Sequence, residues 1–207
     1  MKILTWNIRI GGSKSSFDVI INYLNEHQSD IIILTEFYNN DKREAVKKGL
    51  FASGYVWQNV SSGSQGGDSI LIASKLHFED VTDMEDYNIP YERWVEIHLT
   101  EEDVYILAAY IPSYLTRQHD RDVFWAEVLS YAEKNKDKRS VIIGDYNVSF
   151  LDENQGPPAS CEENLASLNK LGWTDSWRYT HKDRTQSDWN DPDEDGFRID
   201  HAYVSPP

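Results

Sequence analysis

The chain has 207 residues, which is long enough to bury one sizeable core, and nothing in its composition requires a second domain. Its 35 acidic residues outnumber the 20 basic ones, and the formal net charge is -15. This charge repels extended polyanions and disfavours tight, sequence-independent binding to duplex nucleic acid. A compact phosphate-bearing substrate, or a nucleic acid held mainly through bound metal, stays compatible with it.

Short apolar runs alternate with amphipathic stretches along the chain. The apolar runs predict strands, in chain order, at 2–8, 30–36, 55–59, 69–74, 94–99, 104–111, 140–143 and 197–205. Apolar residues at helical spacing predict helices from residue 16 onward and at 41–53, 119–135 and 162–171. Loops are predicted where glycine, serine, proline or acidic residues cluster, at 61–68, 156–158 and 183–196. The alternation, without repeats or a linker, predicts one layered α/β domain over 1–207.

The cellular compartment is predicted from the cysteine and from the first residues. Cys161 is the single cysteine and cannot form an internal disulfide, which fits a reducing interior. Residues 1–8 lack the long apolar centre and the cleavage site of a signal peptide. No apolar run approaches the roughly 20 residues of a membrane span. We therefore expect a cytoplasmic protein.

Polar side chains stand at or near the ends of four separate apolar runs. Asn7 and Glu36 end the first two runs, Asp145 and Asn147 follow the run at 140–143, and Asp200 lies in the last. Strand ends are where a layered α/β domain gathers a site. Hydrolysis of a phosphate ester needs a hard cation, a positioned water and hydrogen-bond donors, and these residue types supply them. Taken singly, however, an acid at a strand end is usually a turn residue or a helix cap.

Five short motifs carry a resemblance that covers nearly the whole chain. They are Thr5-Trp6-Asn7-Ile8, Leu34-Thr35-Glu36, Tyr110-Ile111-Pro112, Gly144-Asp145-Tyr146-Asn147 and Arg198-Ile199-Asp200-His201. In this order and approximate spacing the chain resembles the endonuclease/exonuclease/phosphatase superfamily, as a compact member similar to exonuclease III and the apurinic-site endonucleases. The segment from Gly66-Gly67-Asp68 to Ser74-Lys75 also looks like the family's glycine-led strand. One tetrapeptide would be weak support, but five in register are strong.

The resemblance implies a fold and a metal. The fold is an α/β/β/α sandwich of two packed mixed sheets flanked by helices, and the cofactor is Mg²⁺ or Mn²⁺. Glu36 would be the principal metal ligand, and Asn7 would assist at the metal or at a phosphate oxygen. The residues alone support only strand-end polar groups suited to a hard metal.

The other catalytic roles are also implied by the resemblance. Asp145 would position or deprotonate the attacking water, with Asn147 orienting it. Tyr110 would donate to the phosphate, or contact it as the phenolate. Asp200 matches the aspartate that orients a histidine at the scissile phosphate.

Two arginines near strand ends are candidates for substrate binding. Arg9 and Arg198 could each clamp phosphate oxygens in bidentate fashion. The alternative for each is a solvated or salt-bridged arginine, which is the commoner state of this residue near a strand end.

The sequence departs from the family pattern in its last part. Members carry a Ser-Asp-His motif on a later strand, and this sequence ends at Pro207, directly after the Asp200 strand. His201 is a candidate to replace that histidine, but it follows Asp200 directly on a strand, so its side chain should point to the opposite face, which disfavours the replacement. We expect the domain to be truncated here and a native C-terminal extension to exist. A strand-supplying partner, or self-association through the first strand's edge, is the alternative, because that apolar edge would otherwise be exposed.

The sequence is compatible with three functions. The first is a metal-dependent hydrolase of phosphate esters, of the nuclease type, acting on nucleic acid. The second is a phosphatase or phosphodiesterase on a small or lipid-derived phosphate, which the net charge favours. The third, of a different class, is an inactive binding module that keeps the fold.

Overall fold

The computed structural model describes residues 1–9, 17–38, 42–61, 69–83, 85, 87–113, 118–149, 162–181, 189–191 and 194–207. The helices in these ranges are α1 (Phe17–His27), α2 (Arg43–Ala52), α3 (Gln118–Asn135), α4 (Glu162–Lys170) and α5 (Ser176–Thr180). The strands are β1 (Ile3–Asn7), β2 (Ile31–Thr35), β3 (Trp57–Val60), β4 (Leu71–Ser74), β5 (Glu79–Asp80), β6 (Trp94–Leu99), β7 (Val104–Tyr110), β8 (Ser140–Asp145), β9 (Thr174–Asp175), β10 (Trp189–Asp191), β11 (Glu194–Phe197) and β12 (Asp200–Val204).

Two mixed sheets form the centre of the molecule. The first has the order β1-β2-β4-β3, with β1 and β2 parallel and the other neighbours antiparallel. The second has the order β5-β6-β7-β8-β12-β9, and here β7 and β8 are the parallel pair. A short 3₁₀ turn, Tyr91–Arg93, leads into β6. Each sheet therefore contains one parallel pair among antiparallel strands.

The alternation of side chains along β2 explains why the sheets are layered. Ile31 and Ile33 pack with the second sheet, whereas Ile32 and Leu34 belong to the cluster formed with α1 and α2. All five residues of β2 are buried, as a continuous apolar run in an inner strand requires. Burying one such side chain contributes about 1.5–3 kcal/mol to stability.

The outer face of the second sheet is covered by α3 and α4. Phe124 and Val128 of α3 pack in one cluster with Leu107 and Ile142 of the sheet. Trp125 is 2% exposed in the same cluster. Helices thus cover both outer faces, and the predicted α/β/β/α sandwich is confirmed.

The acidic segment 183–196 was predicted to be a loop, and this prediction is wrong in part. Within it, β10 and β11 form an antiparallel pair in which Trp189 lies opposite Phe197. The acidic residues of the segment favour a loop, and no pattern in the sequence indicates that the backbones of these two strands pair. The last strand accordingly begins at Asp200 and not at 197, since Phe197 ends β11.

Other differences are small. Residues 174–180, left unassigned by the sequence, form β9 and α5. The strand predicted at 55–59 begins at Trp57, because the backbone N–H of Tyr55 donates to the carbonyl of Leu50 in α2. Of the loop predicted at 61–68, residues 62–68 lie outside the described residues, as do the loop predicted at 156–158 and the start of the first helix at 16.

The edge of the first sheet at β1 is only half covered. Among the described strands β1 pairs with β2, and all five of its residues are half-buried. Pairing of a further strand with this edge stays a prediction. None of the described helices is long and apolar enough to cross a membrane.

Candidate functional site

The site forms where the two parallel strand pairs end. In the first sheet Asn7, at the end of β1, lies opposite Thr35, at the end of β2. In the second sheet Tyr110 ends β7 opposite Asp145, which ends β8. Carboxyl ends of parallel strands lie at the same edge of a sheet, and one such edge from each sheet contributes to the same group of side chains.

Two carboxylates converge on one amide. The Nδ2 atom of Asn7 donates to Oε1 of Glu36 and to Oδ2 of Asp145, each at 2.9 Å. The Oδ1 atom of Asn7 accepts from the backbone N–H of Arg9, also at 2.9 Å, which orients the amide. The predicted acids at the ends of β2 and β8 are thus brought together, although Glu36 and Asp145 are 109 positions apart in the chain.

Further donors fix the orientation of each acid. The hydroxyl of Tyr110 donates to Oε1 of Glu36 at 3.1 Å. The backbone N–H of Asn147 donates to Oδ1 of Asp145 at 2.9 Å, and its side-chain amide donates to the carbonyl of Ile111 at 2.9 Å. Five of the six predicted catalytic residues therefore belong to one hydrogen-bonded group.

The backbone at the site is strained. Arg9, Glu36 and Asn147 have φ values of 47°, 51° and 51°, and they are three of the five non-glycine residues with positive φ among those described. A side chain in the left-handed region costs roughly 1–3 kcal/mol and persists only where neighbouring contacts hold it. Next to Glu36, the backbone N–H of Phe37 donates to the carbonyl of Ser69, and the Ser69 hydroxyl donates back to the Phe37 carbonyl.

Gly144 allows β7 and β8 to come close beside the site. Its φ is +144°, and a Cβ atom there would lie 2.1 Å from the carbonyl oxygen of Ala109. Glycine is therefore required immediately before Asp145. On the other side of Asp145, Tyr146 is buried, and burial raises the pKa of its phenol well above the usual value.

Asp200 lies next to this group, at the start of β12. It pairs in register with Asp145 and is half-buried. It also lines a groove of about 430 Å³ beside the open edge of β1, together with Thr5, Trp6 and Trp177. The structure therefore places all four predicted strand-end positions at one end of the sandwich.

The two predicted substrate-binding arginines have different surroundings. Arg9 is exposed at the end of β1. Arg198 is 2% exposed, its Nη2 lies 2.6 Å from Oδ2 of Asp175, and its guanidinium lies over the ring of Trp177. Its burial leaves Arg198 little surface for contact with a phosphate, and its role in substrate binding stays a prediction.

A second, buried cluster surrounds Asp175, with Arg198 and His201. His201 is 1% exposed, its Nε2 lies 2.7 Å from the carbonyl of Val148, and its Nδ1 lies 3.7 Å from Asp175. Burial alone would raise the pKa of Asp175, but His201 and Arg198 more than offset this and hold the pKa well below its usual value. His201 is thus engaged away from the Glu36 group, as expected from its position next to Asp200.

Two residues that contact the site region were missed in the sequence. Asp175 accepts hydrogen bonds from the backbone N–H groups of Trp177 and Arg178 and caps α5, so an N-cap signature was available there. Arg93 stacks on the ring of Tyr110, and no local signal announces this contact because sheet pairing creates it.

The donor set fits a hydrated hard cation. Mg²⁺ keeps several waters and takes one or two protein carboxylates, and Glu36 offers one such carboxylate beside Asn7. Among the described residues no group of three or more His, Cys, Asp or Glu side chains is placed to hold a metal. The Oδ1 atom of Asn7 is directed to the N–H of Arg9, and its role as a metal ligand stays a prediction.

Comparisons with known proteins agree with this architecture. The model of the Endonuclease/Exonuclease/phosphatase family matches residues 4–207. No curated protein matches the chain. Solved structures with the same fold include an AP endonuclease from Archaeoglobus fulgidus, at 20% identity and a TM-score of 0.79, covering 100% of this chain and 87% of that one.

Two structures from Neisseria are similar at 22% identity and a TM-score of 0.76. One is the 3'-5' exonuclease NExo from Neisseria meningitidis, with 99% of this chain and 87% of that chain covered. The other is the 3' phosphatase NExo bound to a product DNA hairpin, with 100% and 87% covered. At these identities the likeness establishes a shared fold.

Proposed function

Because this chain belongs to the Endonuclease/Exonuclease/phosphatase family, we propose that it is a Mg²⁺-dependent hydrolase of phosphate esters, a phosphodiesterase of the nuclease type. The observation that carries the proposal is the convergence of Glu36 and Asp145 on the amide of Asn7. Two like charges held this close repel each other, and a divalent cation relieves that repulsion. Mn²⁺ would fit the same oxygen ligands.

The proposal gives each carboxylate its own task. Glu36 holds the cation, with Tyr110 and Asn7 keeping its carboxylate in place. When bound, the cation neutralises phosphate oxygens and makes the phosphorus more electrophilic. Asp145 positions the attacking water and accepts its proton, and Asn147 keeps Asp145 oriented through its backbone N–H.

The remaining residues act on the substrate in this proposal. Tyr110 lies at the end of β7, and its single O–H, which donates to Glu36 in the free protein, would move its hydrogen bond to a phosphate oxygen as charge develops there. Asp200 lies next to Asp145 across the β8–β12 pair. In this proposal its carboxylate has the position of the family's aspartate that orients a histidine at the same phosphate. Arg9, exposed at the end of β1, contacts a phosphate further along the substrate.

The substrate class follows from charge and from the structural neighbours. Those neighbours include an AP endonuclease, a 3'-5' exonuclease and a 3' phosphatase bound to a product DNA hairpin. The net charge of -15 opposes a long duplex. We therefore favour nucleic-acid ends, where few phosphates approach the protein. The same charge supports the second candidate, a phosphatase or phosphodiesterase on a small or lipid-derived phosphate. A cytoplasmic location is part of the proposal and rests on the single Cys161.

The test is turnover with Mg²⁺ or Mn²⁺ after removal of metal by a chelator. Three substrates separate the candidates: a single-stranded oligonucleotide, a hairpin with a 3'-phosphate, and bis-p-nitrophenyl phosphate. A nuclease cleaves the oligonucleotide at physiological salt, and release of phosphate from the hairpin alone shows a phosphatase that acts on nucleic-acid ends. Turnover confined to the small ester points to the second candidate.

Variants assign the activity to the site. Glu36→Gln should lower kcat by about 10²–10⁴-fold, because the neutral amide holds the cation poorly. The matched control is Glu44→Gln on α2, an exposed acid in a surface pair with Lys47, which should keep full activity. Binding of Mg²⁺ without turnover on any of the esters would support the inactive binding module. Equal turnover in wild type and Glu36→Gln would refute the site.

A further inference from the structure

Arg93 covers one face of Tyr110. The Cζ atom of its guanidinium lies 4.1 Å from the centroid of the Tyr110 ring. At this distance a cation is attracted to the ring face. Tyr110 is 8% exposed and donates its hydroxyl to Glu36, so Arg93 contacts the site through this ring.

The segment that carries Arg93 is firmly anchored. Arg93 ends the 3₁₀ turn, and Trp94 pairs with Ala109 in the β6–β7 ladder, which brings Arg93 beside Tyr110. The hydroxyl of Ser61 donates to the carbonyl of Glu92 at 2.6 Å and accepts from the backbone N–H of Ile70 at 2.8 Å. This hydrogen-bonded link ties the 3₁₀ turn to the first sheet, and the first sheet also carries Glu36.

We propose that Arg93 is a positioning residue for the hydrolytic site, with its guanidinium holding the Tyr110 ring so that the phenol stays directed at Glu36. A tyrosine side chain without such a contact turns about two bonds, and its hydroxyl then samples positions away from one carboxylate oxygen. Clamping the ring between the packed sheet and a cation removes that freedom. The positioning acts on the free protein, while its effect on turnover rests on the proposed function.

The same strand provides a matched control. At the other end of β7, the Nζ atom of Lys138 lies 4.3 Å from the ring centroid of Tyr105. This is the same kind of contact on the same strand, five residues from Tyr110 and remote from the site. Lys138→Gln therefore removes a ring-stacked cation without touching the Glu36 group.

The first experiment observes the phenol directly in metal-free protein without substrate. Tyrosine labelled with ¹³C at the hydroxyl-bearing ring carbon gives signals for the 12 tyrosines, and loss of one signal in Tyr110→Phe or Tyr105→Phe assigns these two. Arg93→Gln should shift or broaden the Tyr110 signal and leave the Tyr105 signal in place. Lys138→Gln should do the reverse. An unchanged Tyr110 signal in Arg93→Gln overturns the proposal, whatever the activity.

The second experiment is a double-mutant cycle in turnover. Arg93→Gln should lower kcat about three- to tenfold with KM changed less than about twofold, and Arg93→Lys should recover most of the loss. In the Tyr110→Phe background, which keeps the ring and lacks the hydroxyl, Arg93→Gln should add less than about a twofold effect. A raised KM, or the full effect persisting without the hydroxyl, would show direct substrate contact and overturn the positioning role.

The two experiments separate failure of this inference from failure of the proposed function. A wild-type protein without turnover refutes the proposed hydrolase, yet the labelled-tyrosine signals still test the clamp. If the wild type shows turnover and Arg93→Gln behaves like Lys138→Gln, only the positioning role of Arg93 is refuted.

Discussion

The group around Asn7 lies at the ends of β1, β2 and β8, and the buried cluster around Asp175 lies where β9 meets β12; the two handle their charges in opposite ways. Around Asn7, the carboxylates of Glu36 and Asp145 face the same neutral amide. In the buried cluster, Asp175 has the guanidinium of Arg198 at 2.6 Å. The first cluster holds two acids against one amide, with Glu36 half-buried and Asp145 2% exposed, whereas the second pairs its buried acid directly with a guanidinium.

The difference separates chemistry from stability. A group of acids held close by neutral donors attracts a cation, and folding gains little from it because the like charges repel. A buried acid paired with an arginine gives no open position to a ligand, but removal of one partner leaves the other buried and unpaired. Substitutions in the first cluster should therefore lower turnover, and substitutions in the second should lower the free energy of unfolding.

The largest expected effect is on turnover, in Asp145→Asn. An asparagine cannot take the proton of the attacking water, and we expect kcat to fall about 10²–10⁴-fold. The free energy of unfolding without metal should change by less than about 1 kcal/mol, because one of two repelling charges is removed and the Asn147 N–H keeps an acceptor. Steady-state kinetics and urea unfolding on the same preparation measure both. A large loss in the free energy of unfolding would show that Asp145 mainly stabilises the fold.

The second effect is on stability, in Arg198→Met. Asp175 would be left buried without its guanidinium, and we expect a loss of about 3–5 kcal/mol in the free energy of unfolding. The double variant Arg198→Met with Asp175→Asn should recover part of the loss, since the unpaired charge is then gone while the α5 cap is kept. The kcat of the folded protein should change less than about tenfold. If Arg198→Met has the same free energy of unfolding in urea as the wild type, the pair with Asp175 does not stabilise the protein and the prediction is wrong.

Much of the fold could be predicted because its layers follow local patterns. The apolar run ending at Thr35 predicts an inner strand, because both its faces are apolar. The position of Trp125 on the apolar face of its helix predicts that it is buried. The β10–β11 pair could not be read this way, because acidic residues surround its two aromatic ends. Composition favoured a loop there, and cross-strand pairing decided otherwise.

The site was predictable as a set of strand ends, and less so as a set of contacts. Asn7, Glu36 and Asp145 meet because parallel strands bring their carboxyl ends together. The partner of Arg198 was not predictable, since Asp175 lies 23 residues earlier and meets it only after β9 and β12 pair. The orientation of the Asn7 amide likewise depends on the left-handed turn at Arg9, which no sequence pattern indicates.

The third prediction concerns metal. A ligand that binds the folded state alone raises the free energy of unfolding by about 2.7 kcal/mol at a hundred times its Kd. Mg²⁺ at that concentration should give this increment in wild type and also in Arg198→Met, because the buried cluster takes no part in binding. Glu36→Gln should lose most of it, and calorimetry on the same variants supplies the Kd. An increment kept in Glu36→Gln would mean that Mg²⁺ binds other acids of this highly charged chain.

The smallest expected effect is the pH dependence of stability, and it belongs to the buried cluster. The pKa of Asp175 in the folded protein lies well below its value in the unfolded chain. The unfolded chain therefore takes up the proton first as pH falls, and the stabilisation is complete above about pH 4 and is lost below it, by roughly 2 kcal/mol. Asp175→Asn lacks this titration, so its free energy of unfolding should fall less steeply than that of wild type between pH 5 and pH 2. The matched control is Asp103→Asn, whose acid pairs with His98 but is 76% exposed, and it should follow the wild-type slope. Equal slopes for wild type and Asp175→Asn would show that the Arg198 pair leaves the titration of Asp175 unchanged on folding.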